Sequence, residues 1–304
     1  MPKYLLTIPC ISALALSACA QEEADTDHSP LVVTTFSVLG DMTENIGGDR
    51  IQVRSITPIG AEVHEYDPTP SDVQAAADAD LIIENGLGLE EWFGQFTSHS
   101  EAPTVSASAG IEARPITRLP GHPDDPGAGS DLPTDPHGWI SAEQSMTYVD
   151  NIEAALSELS PEDAEHFSER AGKYRQELQQ FVDESRVAAA ELADPVLVTC
   201  EGAFGYLAED LGLTEHYLWP LNAENEGTPQ QVEAQIRFVE ENSVETIFCE
   251  STVNDAAQVQ VAETTGAELA GPLHVDSLTD ADGPAPTHLE LLEHTTHTIL
   301  GKAE

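Results

Sequence analysis

"PEDAEHFSERAGKYRQELQQFVDESRVAAAEL", residues 161 to 192, decides the architecture. Ser160-Pro161 starts it as a helix starts, with proline at the first helical position and acids in the first turn. Phe167, Ala171, Tyr174, Leu178 and Phe181 then recur at steps of four, three, four and three, which is one stripe of a helical period. No proline follows before Pro195. A helix over 161–192 would run about 48 Å at 1.5 Å per residue. That is long for one small domain and suits a strut joining two. Just before it, Ser141 with Gln144 caps a further helix carrying Met146, Val149, Ile152 and Leu156 on one side.

On both sides of this helical region (141–194) the chain alternates short β-branched runs with helical stretches. LVVTTF (31–36), IQVRSI (51–56) and LIIE (81–84) read as strands in the first part. Ser71 with Gln74 reads as the capping box of a helix to about Ala79. VLVT (196–199), HYLWPL (216–221), ETIFC (245–249) and AELAGPL (267–273) read as strands in the second part. Helices between them predict βα units around parallel sheets. The expected fold is therefore α/β, with lobes over 31–140 and 195–304. No internal repeat is visible, although the halves share a pattern.

The 304 residues suffice for one or two packed domains. Fifty-five acids against eleven bases give a net charge of −44, which excludes nucleic acid as a partner because phosphate would be repelled. The acids are spread along the whole chain, so they read as a solvated surface suited to high salt, where screening tolerates self-repulsion. At the N-terminus, Lys3 precedes an apolar run too short to span a membrane, followed by Leu16-Ser17-Ala18-Cys19. This reads as a signal peptide over 1–18. Residues 19–30 contain the cysteine and a polar tether that includes His28. Cys10 falls in the signal. Cys200 and Cys249 each end a strand-like run and read as buried small hydrophobes, with a disulfide left open.

In open α/β sheets, ligands bind beyond the carboxyl ends of strands. That filter selects His64, Asn85, Glu201, Glu250 and Asp276, while His137 lies before a helix start in DPHGW. Two imidazoles from one lobe and two carboxylates from the other would make a compact divalent-cation site. Glu250 is also explained as a helix N-cap. His64 stands among Glu62, Glu65, Asp67 and Asp72, which read as solvated acids or partners that orient an imidazole, Glu65 in particular. His274, two residues before Asp276, is a competing ligand candidate. His288, His294 and His297 are expected to face solvent on the last helix.

PIGAEVHEYDPTPSDVQAAADADLIIENG resembles the first metal-site segment of the substrate-binding lipoproteins of manganese, iron and zinc ABC importers (cluster A-I). DPHGWIS resembles the second, and VTCEGAFGYLAEDLGL, NAENEGTPQQV and DSL resemble the C-terminal part. The resemblance covers nearly the whole mature chain. It implies two Rossmann-like lobes joined by a long rigid helix, with one ion between them held by His64, His137, Glu201 and Asp276. Glutamate at 201, where zinc-binding relatives usually have histidine, resembles the manganese/iron branch. So does the loop RLPGHPDDPGAGSDLPT, whose single histidine is His122. Two carboxylates suit the harder cations, so Mn2+ or Fe2+ is expected over Zn2+ as the transported ligand. LSAC resembles a lipobox, which implies lipid on Cys19 and anchorage at the extracytoplasmic face, periplasmic in a Gram-negative cell. The implied partner is an ABC transporter permease, with the chain itself a monomer. Members of the family often carry a basic residue shortly after the acid equivalent to Glu250. This chain has Ala256 and Ala257 there, so a contact through that base is not implied.

A rival reading from another class is a secreted mononuclear metalloenzyme. Four protein ligands argue against it, because catalysis needs a vacant position. HExxH, G-x-S-x-G and P-loop patterns are absent from the sequence. The expectation is a non-enzymatic receptor for Mn2+ or Fe2+, with a zinc receptor of the same family as the alternative and an additional adhesion role left open.

Overall fold

A computed structural model describes residues 29–94, 100–119, 122–125, 127, 132–192, 195–221 and 227–302. The signal-like segment, Cys19 and most of the tether lie outside them.

The first lobe contains β1 (Leu31–Thr34), α1 (Ser37–Gly47), β2 (Gln52–Ser55), α2 (Pro70–Asp78), β3 (Leu81–Glu84) and β4 (Thr104–Ser106). Its sheet is parallel, in the order β2-β1-β3-β4. Consecutive strand residues point to opposite faces, so Val32 enters the core beneath the strut while Val33 packs with Ala75 and Ala76 of α2. This is why β1 and β3 read as unbroken apolar runs: both faces of the sheet are covered. The helix start predicted from Ser71 and Gln74 lies two residues earlier. Thr69 is the N-cap, Pro70 takes the first helical position, and the Thr69 N–H donates to Asp72 Oδ2 at 2.8 Å.

The second lobe contains β5 (Val196–Glu201), α5 (Gly205–Leu211), β6 (Thr214–Trp219), α6 (Pro229–Asn242), β7 (Thr246–Glu250), α7 (Ala256–Thr265), β8 (Glu268–Leu273) and α8 (His288–Ile299). β5 pairs with β6 and β7 with β8, both parallel. β5 lies beside β7, and Cys200 and Cys249 join them as a disulfide with Cα atoms 4.9 Å apart. Read across, β6-β5-β7-β8 repeats the strand order of the first lobe. The shared pattern of the two halves is thus one topology used twice.

Between the lobes stand α3 (Ala142–Leu159) and α4 (Ala164–Ala189), joined by the single turn Pro161–Asp163. The strut helix α4 has 26 residues, or about 39 Å. It begins one turn later than expected because Pro161–Asp163 winds as a 3-10 turn. All five stripe residues named above are buried. They join one core that contains Phe36 and Met42 from the first lobe and Leu197, Phe248 and Leu273 from the second. Each large apolar side chain so buried contributes about 2 kcal/mol. The lobes are therefore braced against one helix rather than hung on a linker. No described helix is long and apolar enough to cross a membrane.

His288 does not face solvent; it is fully buried. Its ring Nδ1 lies 2.6 Å from the Tyr174 hydroxyl on the strut, and Nε2 lies 2.8 Å from the Trp139 carbonyl. Both contacts are satisfied by a neutral ring that accepts from Tyr174 and donates to Trp139. Burial draws its pKa down to about 4 from 6.5, opposed by the bond to Trp139. The unfolded chain therefore takes up a proton that the folded one refuses, and this contribution is lost as pH falls from 6.5 to 4. Asp41, which accepts the His288 backbone N–H, is raised to about 6 by burial and acts with the opposite sign in the same range. His288→Ala is expected to cost about 2–3 kcal/mol at pH 7 through lost hydrogen bonds and packing. That gap should narrow by pH 4.5, as measured by urea unfolding of both proteins. A gap that is constant with pH would contradict a neutral buried imidazole.

Candidate metal centre

Three of the four expected residues follow strands, and the fourth precedes a helical turn. His64 lies in the connection from β2 to α2, and His137 immediately precedes the 3-10 turn Gly138–Ile140. Glu201 is the last residue of β5, and Asp276 lies three residues beyond β8. The structure brings all four together across the lobe boundary. His64 Nε2 is 3.2 Å from His137 Nε2 and 3.6 Å from Glu201 Oε1, and His137 Nε2 is 3.9 Å from Asp276 Oδ1. His137 and Glu201 are fully buried and Asp276 is 1% exposed, while the His64 side chain keeps 11%.

The surroundings fix these groups. Asp135, also fully buried, accepts from the His137 backbone N–H at 3.0 Å and lies 2.9 Å from its ring Nδ1. That carboxylate holds the proton on Nδ1 and leaves Nε2 facing the other three residues. Asn85 donates to the Pro136 carbonyl at 3.0 Å and accepts from Tyr148, which pins the loop carrying His137. Glu250 is not a helix cap: α7 starts after Asp255, and the Glu250 carboxylate lies 3.3 Å from the Glu201 backbone N–H. Trp139 Nε1 donates to the Val275 carbonyl at 2.8 Å, tying the His137 turn to the residue before Asp276. Gly60 N–H donates to Ser277 Oγ at 2.6 Å and makes a second tie between lobes.

The electrostatics follow from burial. His64 is drawn down to about 3, first by burial and then by neighbouring His137. Burial also opposes charge on His137, but Asp135, Asp276 and Glu62 outweigh it and raise its pKa above the ordinary value. Asp276 is raised by burial, opposed by His137 and by the Thr252 hydroxyl that donates to its Oδ2. Its Oδ1 makes no hydrogen bond. Such a set offers lone pairs to a cation: one imidazole kept neutral, one oriented by a carboxylate, and a buried aspartate with one oxygen short of a donor.

Other candidates fall outside the cluster. The His274 ring lies 5.3 Å from that of His294, and among the described residues it joins no group of three potential ligands. His122 packs 5.6 Å from the Tyr217 ring. Glu65 is exposed, so the orienting carboxylate is Asp135, on the other histidine. Asp135 has one signal in the sequence, its place two residues before a candidate histidine. Glu62, expected as a solvated acid or a partner of the imidazole, is half-buried and accepts the His64 backbone N–H at 2.7 Å.

Residues 32–301 match the family described as zinc-uptake complex component A, periplasmic (ZnuA). The chain is 40% identical to the iron-binding protein YfeA of Yersinia pestis, over 97% of this chain and 94% of that one. It is 33% identical to the manganese-binding lipoprotein MntA of Halalkalibacterium halodurans, over 95% of each. The Mn-bound periplasmic metal binding protein of Candidatus Liberibacter asiaticus superposes with a TM-score of 0.80 at 32% identity, covering 90% of this chain and 98% of that one. The chain thus belongs to the ZnuA family of metal-binding substrate-binding proteins.

Proposed function

We propose that this chain is an extracytoplasmic, lipid-anchored receptor that captures one Mn2+ or Fe2+ ion between its lobes and delivers it to the permease of an ABC transporter. The observation that carries this reading is the convergence of two imidazoles and two carboxylates from opposite lobes, with Asp276 Oδ1 buried and without a donor. His64, His137, Glu201 and Asp276 are the ligands in this reading. Capture in this reading draws donors from both lobes. No chemical step is assigned to the chain; the energy for transport comes from a separate ATPase subunit.

Glu201 supports the choice of Mn2+ or Fe2+, since two carboxylates allow more than four oxygen and nitrogen donors around a hard ion. The facing imidazoles support Zn2+ as the second reading, because nitrogen donors suit it and it binds such sites more tightly than Mn2+ does. Metal analysis of the purified protein, with competition between Mn2+, Fe2+ and Zn2+, separates the two. One equivalent of Mn2+ or Fe2+ retained from a mixed-metal medium is the expected result, and exclusive zinc occupancy would overturn the first reading.

Anchorage rests on Leu16-Ser17-Ala18-Cys19. Cys19→Ala is expected to move the protein from the membrane fraction to the soluble fraction of the cell envelope. Retention of the variant on the membrane would mean a different anchor.

A further inference from the structure

Glu62 is not one of the four ligands, and its position is unlike that of a surface acid. It is held on backbone, accepting the His64 N–H at 2.7 Å. Potential ligand atoms of Glu62, His64 and Asp276 all lie within 4.8 Å of one another, and the same holds for His64, His137 and Glu201. The two trios share His64. The residues exchanged between them differ in depth: Glu62 is only partly buried, whereas His137 and Glu201 are fully enclosed, as Asp276 is. Asp276 Oδ1, buried and without a hydrogen bond, completes the outer trio with lone pairs to offer.

From this overlap we infer that Glu62 is the entry ligand for the ion. This rests on the reading of the cluster as a cation receptor. An ion arriving from solvent is held first by Glu62, His64 and Asp276. It then passes inward as His137 and Glu201 take the place of Glu62, with His64 and Asp276 keeping hold throughout. Such a step replaces water by protein donors one at a time, which is faster than stripping several at once. Glu62 then stands beside the filled site without occupying it. Because the same path serves for exit, Glu62 speeds loss of the ion as much as capture.

The test is stopped-flow mixing of the apo protein with MnCl2, read through Trp139, whose ring lies 5.1 Å from that of His137. A chelator chase of the loaded protein gives the off-rate. Measurements at about 1 M salt remove long-range steering by the acidic surface. Glu62→Gln keeps an acceptor for the His64 N–H, and Glu62→Asp keeps the charge. For Glu62→Gln, on- and off-rates should both fall about tenfold while the equilibrium constant moves less than about threefold; Glu62→Asp should recover part of each rate. Unchanged rates in both variants would overturn the proposal. So would a large loss of affinity confined to the off-rate, which would make Glu62 a resident ligand. His137→Ala in the same assay separates the two levels. If it binds Mn2+ like the wild type, the receptor reading itself fails. If it loses binding while the Glu62 variants keep normal rates, only the entry role fails.

Discussion

His137→Ala is expected to abolish the rise in melting temperature that Mn2+ gives the wild-type chain. An ion that binds only the folded state stabilises it by mass action, by about 2.7 kcal/mol at a hundred times the dissociation constant. For a chain of this size that is a shift on the order of 5 °C. Removing His137 takes away one donor and leaves Asp135 buried with its ring partner gone. Loss of an orienting neighbour alone typically costs ten- to a hundredfold in metal affinity, so loss of the ligand should cost at least about a hundredfold. The variant's own melting temperature will also fall, so the quantity to read is the difference between added Mn2+ and added chelator. His64→Ala should show the same loss of response with a smaller change in the apo protein, since the His64 side chain is partly exposed. A full Mn2+ response in both variants would place the ion elsewhere.

Glu201→His should lower Mn2+ affinity by more than it lowers Zn2+ affinity, shifting the ratio about tenfold or more toward zinc. The substitution turns two imidazoles and two carboxylates into three imidazoles and one carboxylate, and removes one negative charge beside the ion. The net charge of −44 hardly changes, so a shift in ratio reports on the ligand and not on the surface. Titration of both proteins with both ions at one high salt concentration suppresses non-specific binding by that surface. The same affinity ratio in both proteins would remove Glu201 from the ligand set and with it the main support for Mn2+ or Fe2+.

What the sequence revealed and what it hid divide along physical lines. The strut was legible because its stripe of five apolar residues keeps helical spacing over four turns, and such a pattern has one use. The strand-end residues were legible because a parallel sheet fixes where a ligand can sit. β4 was not, since Thr104–Ser106 is three residues with no period to detect. The polarity of His288 suggests solvent, but the residue lies on the buried stripe of α8, with Leu291, Leu292, Thr295 and Thr296 at helical spacing from it. Asp135 and Glu62 were hidden for a different reason. Both stand two residues before a candidate histidine, but among 55 acids that spacing alone does not separate a carboxylate that will be buried from one that will be solvated. Only the three-dimensional approach of loops distant in sequence does so. The disulfide was open in the same way, because the adjacency of β5 and β7 is a property of the sheet order.

Crystals of the protein grown with MnCl2 and measured on both sides of the manganese absorption edge test the central claim most directly. The account predicts one anomalous peak between the lobes, within bonding distance of His64 Nε2, His137 Nε2 and the carboxylates of Glu201 and Asp276. A strong peak elsewhere, with no density among these four side chains, would contradict it.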